Sequence, residues 1–94
     1  MDKPNFISVV YFFVTIALQH LGIIKNPLTD KVEKNLDLAK YTIDTLDLIK
    51  EKTKGNLTNV EESLISSTLS DLKLTYVKEK EREESESKAE EKPS

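Results

Sequence analysis

The stretch FISVVYFFVTIALQHLGII, residues 6–24, decides the fold, because it admits three readings. It lies in a run without a charged residue, from Pro4 to Ile24, which holds all three phenylalanines. A secretory signal opens on a basic segment and closes on a small-x-small cleavage site. Met1-Asp2-Lys3 has no basic surplus among its side chains, and no such site follows. A transmembrane helix needs about 20 mainly apolar residues, and this run comes close. The third reading is a helix buried in protein. At 100° per residue Ser8, Tyr11, Thr15, Gln19 and Gly22 fall on one narrow stripe, and His20 lies on another side. A polar seam on an otherwise apolar helix suits packing on several sides with one edge in water. Gly22 as the stop and Pro27 beyond it predict a helix of about 16 residues, short for a span. Burial in protein is the leading reading; a membrane helix that uses the seam for pairing is the alternative.

The remainder of the chain sets the limits. Its 94 residues make one domain, 37% hydrophobic and 33% charged, with no Cys, one His, two Gly and three Pro. Lack of cysteine excludes a disulfide scaffold, a zinc-thiolate site and a thiol nucleophile. One histidine excludes any site that needs two imidazoles. A net charge of −3 argues against general binding to nucleic-acid phosphates, which needs a cationic surplus. Residues 78–94 hold seven Glu, four Lys and one Arg, with Ala89 the only aliphatic side chain. Such a segment buries too little apolar surface to offset its ordering entropy. It reads as a charged, partly helical or disordered tail on a helical domain of residues 1–77. Pairs among Lys78, Glu79, Arg82 and Glu83 extend the preceding helix by a turn or so.

Two more helices follow from capping chemistry. Asn35 is a good N-cap with Asp37 in the first turn, and the helix runs to about Lys54 with Gly55 as its C′ stop. Lys40, Asp44, Asp47 and Glu51 share one narrow face, which must be solvated. The apolar residues Leu36, Leu38, Ala39, Tyr41, Ile43, Leu46, Leu48 and Ile49 cover more than half of the helix. Thr58 and Glu61 have capping-box spacing, in which each satisfies a free backbone N–H of the other. Leu64, Ile65, Leu69, Leu72 and Tyr76 form a single stripe on the third helix. The predicted fold is all-α, an up-down three-helix bundle with helices at about 5–21, 35–54 and 58–80.

That bundle has too much apolar surface. A helix with two neighbours wants a stripe somewhat over 100° wide, and the first two helices exceed it. A core of about 75 residues is marginal by itself. Self-association is the simplest cover, and two-fold dimers are the commonest form. The expectation is a homo-oligomer, a dimer by preference, whose interface and adjoining core are lined by Phe6, Val9, Val10, Phe12, Phe13, Ile16 and Ala17. In the monomeric alternative the loop residues Leu28 and Val32, with the third helix, cover the surplus.

At Glu51-Lys52-Thr53-Lys54-Gly55-Asn56-Leu57-Thr58 the sequence resembles a small bacterial family catalogued as domain of unknown function 1844. Leu21-Gly22, Asn26-Pro27, Asn35-Leu36 with Ala39, Ile43-Asp44 with Leu46, Glu61, and Asp71-Leu72 with Tyr76 also match. The resemblance covers roughly Phe6 to Val77. It departs at Asp30, where a turn glycine is expected, and in the tail. It implies a short, all-helical, cytoplasmic bacterial protein and transfers no catalytic residue.

The candidates for chemistry are few. His20 has no neighbour in sequence suited to orienting it, so it reads as a hydrogen-bonded structural histidine rather than a base. Lys52, Lys54, Gly55 and Thr58 are the candidate anion site, two lysines before a helix N-terminus, although capping explains the same residues. Asp44, Asp47 and Glu51 read as a solvated face rather than a cation site, which needs six or more enclosing oxygens. No cofactor, metal or enzymatic activity is expected. The leading expectation is a non-enzymatic self-associating module, acting through contacts with itself or another protein. The alternative is a protein attached to the inner membrane by its first helix, with Lys25, Lys31 and Lys34 on the cytoplasmic side. A third is a regulator that binds an anionic ligand at Lys52–Thr58.

Overall fold

Each helix starts on a side chain that satisfies its first free amides. In the computed structural model, which describes residues 3–91 and the side chains of residues 3–86, helix α1 is Phe6–His20. The Asn5 side chain accepts from the Ser8 amide at 2.9 Å, and Ser8 Oγ accepts from the Asn5 amide at 2.9 Å. This reciprocal cap was not anticipated from the sequence. Helix α1 ends at the predicted glycine. Gly22 has φ +80°, its amide donates to the Gln19 carbonyl, and the Ile23 amide donates to that of Leu18. Those two bonds are the Schellman pair.

Helix α2, Leu36–Lys52, has Asn35 as its N-cap, accepting from the Leu38 amide at 3.1 Å. It stops two residues short of the predicted end. Thr53 is the C-cap and its hydroxyl donates to the Ile49 carbonyl at 2.7 Å. Gly55, with φ +86°, therefore sits one place beyond C′. Helix α3, Asn59–Glu91, starts on the expected Thr58–Glu61 box: the Thr58 amide donates to the Glu61 carboxylate at 2.9 Å, and the Glu61 amide to Thr58 Oγ1 at 3.1 Å. It continues well past residue 80, through most of the charged segment, with Arg82 set 3.7 Å from Glu79 and 3.6 Å from Glu86.

Three helices and, among the described residues, no strand make up the chain; the one bridge, Asn26 with Lys31, closes a loop turn. Each helical hairpin reverses direction. The Asn35 amide donates to the His20 carbonyl at 2.8 Å, so α2 starts beside the end of α1. Lys73 meets Asp47 at 3.1 Å and Lys34 meets Glu79 at 3.2 Å, so α3 runs antiparallel to α2. The core takes Val10, Ala17 and Leu21 from the first hairpin arm, Ala39, Ile43 and Leu46 from α2, and Ile65, Leu69 and Leu72 from α3. Among the described residues Thr42 is the one buried polar side chain, and its hydroxyl donates to the Leu38 carbonyl at 2.8 Å. The long axis is 57 Å, set by α3, whose 33 residues span about 50 Å at 1.5 Å each.

Candidate functional site

The surfaces left unfilled by this packing are the candidates for function. On α1 the polar seam lies outside as expected, with Ser8, Tyr11 and Thr15 exposed. Beside it lies an apolar flank: Phe12 is 62% exposed, Val9 is exposed and Ile16 half-buried. Phe12 stands edge-on to Phe13, their centroids 5.5 Å apart. Of the seven residues expected at an oligomer interface, Val10 and Ala17 are fully buried in the protomer's own core. They face α2 and α3 and are unreachable by a second chain. Phe6 and Phe13 are half-buried against the same core. The flank that remains is Val9, Phe12 and Ile16.

Helix α2 carries a second outward surface that periodicity alone had merged with its core. Leu38, Tyr41, Thr45, Leu48 and Lys52 recur at spacings of three, four, three and four, the pattern of a helix-pairing seam. Leu38 and Leu48 are exposed, and Tyr41 is 73% exposed. The expected solvated face, Lys40, Asp44, Asp47 and Glu51, is exposed throughout and lies beside that seam. Lys40 Nζ donates to Asp44 Oδ2 at 2.8 Å. That hydrogen bond, then the carboxylate's charge, holds the Lys40 ammonium above the ordinary lysine value of 10.5.

The two apolar surfaces adjoin. The Asp47–Lys73 pair fixes which flank of α2 faces α3, so the opposite flank, carrying Leu38, faces α1. Right-handed helices then place Val9, Phe12 and Ile16 on the flank of α1 nearest α2, and Tyr11 on the flank nearest α3. A third apolar group sits on the α1–α2 loop. There the Leu28 amide donates to Asn26 Oδ1 at 2.9 Å and the Asp30 amide to the Asn26 carbonyl at 2.7 Å. This turn holds Leu28 outward at 93% exposure. Val32 is exposed as well, so neither residue covers the apolar surplus as the monomeric alternative required.

The remaining candidates gather little. Lys52, Lys54, Gly55 and Thr58 are all exposed. The amide and hydroxyl of Thr58 are engaged by Glu61. A groove of about 540 Å³ beside them is lined by Asp44, Asp47, Glu51 and Glu62 against Lys50 and Lys54, so an anion there meets more negative charge than positive. His20 is partly buried, and its Nδ1 is buried with no hydrogen-bond partner among the described residues, unlike the bonded histidine expected. Among the described residues no group of acidic side chains and histidine is placed to hold a metal ion. Among them too, no helix is long and apolar enough to cross a membrane. Helix α1, at 15 residues, spans about 22 Å of a hydrocarbon core about 30 Å thick.

A family model described as a domain of unknown function (DUF1844) matches residues 3–78. No curated protein and no solved structure matches the chain.

Proposed function

The chain belongs to the DUF1844 family, whose description names no activity, and we propose that this protein is a non-enzymatic module that works by associating with a copy of itself. One observation carries the reading. Phe12 stands 62% exposed beside Val9 on a helix that holds no Asp, Glu, Lys or Arg. An aromatic ring in water is a large apolar cost. A helix without charges offers nothing to repel an identical helix laid against it. The marginal core of a chain this size supports the same reading, since association adds buried surface that a single protomer lacks. The cytoplasm is the compartment this reading assigns, and fractionation of cells tests it.

Phe12→Asp is the direct test. It places a charge in the centre of the flank without touching the buried residues. Light scattering of the wild-type protein is expected to give a multiple of the 10.7 kDa chain mass, and the variant one chain mass with its helicity intact. A wild-type mass of one chain at high concentration refutes the reading.

A second reading is favoured by the loop. Ile23, Ile24, Leu28 and Val32 are exposed on one turn, with Lys25 and Lys31 between them. Apolar side chains beside lysines suit the surface of an anionic bilayer, without a span. Flotation with anionic vesicles separates this from self-association, and Leu28→Asp should abolish it.

A further inference from the structure

We draw no further inference here: the strongest candidate, the outward seam of Leu38, Tyr41 and Leu48 on α2, is an unpartnered apolar face, and nothing in the structure shows what covers it.

Discussion

Among the described residues three have their backbone in the left-handed region, and their costs differ for reasons visible around them. Gly22 and Gly55 have φ +80° and +86°. A methyl group on Gly55 meets nothing within 4 Å, while one on Gly22 comes 3.3 Å from the Lys34 chain. Gly55→Ala should therefore cost about 1 kcal/mol, the backbone penalty alone, and Gly22→Ala more, as read from thermal midpoints. Asp30, φ +56°, holds the same kind of conformation with a side chain. This accounts for the turn glycine expected at that place: the turn needs the geometry of glycine, and Asp is among the few residues that tolerate it. Asp30→Gly should stabilise the fold by up to about 1 kcal/mol; a loss of stability would contradict that account. Lys40 gives the pH dependence. Its folded-state value is raised by the hydrogen bond and charge of Asp44, so the pair's contribution is whole below pH 10.5 and is lost as pH climbs through the folded value. NMR titration should place Lys40 above the ordinary lysine value, and Asp44→Asn should return it there. At this scale the Thr58–Glu61 box and the Gly22 stop were legible, because each is set by local chemistry. The Asn5–Ser8 cap was not, since a Ser at the third helical position is a weaker signal than Glu.

The elements differ most in what ends them. Helix α2 stops early, at Thr53, whose amide and hydroxyl both bond the Ile49 carbonyl; a stop read at Gly55 does not register that end. Helix α3 runs late. Intrahelical pairs such as Arg82 with Glu86, together with Lys34 reaching Glu79 and Glu83 from across the bundle, hold turns whose composition argued for fraying. Lys34 is a tertiary partner, so no reading of residues 78–94 alone contains it. Replacing Lys34 with Gln should lower the helicity of that segment, visible as faster amide exchange near residues 79–83, with the core amides unchanged. Asn35→Ala removes the α2 cap and should cost about 1 kcal/mol. The apolar arc of α2 was read correctly as too wide for one core, but its division was not legible. Only the position of α3, fixed by Asp47 and Lys73, shows that Ala39, Ile43 and Leu46 go inward while Leu38, Tyr41 and Leu48 go out.

For the molecule as a whole, nine apolar residues among those described, drawn evenly from three arms, make the core. Leu46, fully buried at its centre, should cost about 2–5 kcal/mol when replaced by Ala, a large share of what a domain this small possesses. The three-helix architecture was legible from two caps, one stop and one stripe. The candidate surface was legible only in outline: an apolar excess predicts exposed apolar side chains, and α1 does present Val9 and Phe12, but Val10 and Ala17 are buried in the protomer and α2 presents a further outer surface. The measurement that tests the account most directly is the mass of the protein in solution, by light scattering over a range of concentrations. The account predicts twice the 10.7 kDa of one chain, falling to a single chain mass on Phe12→Asp substitution without loss of helix. A wild-type protein that stays at one chain mass at the highest concentration would contradict it.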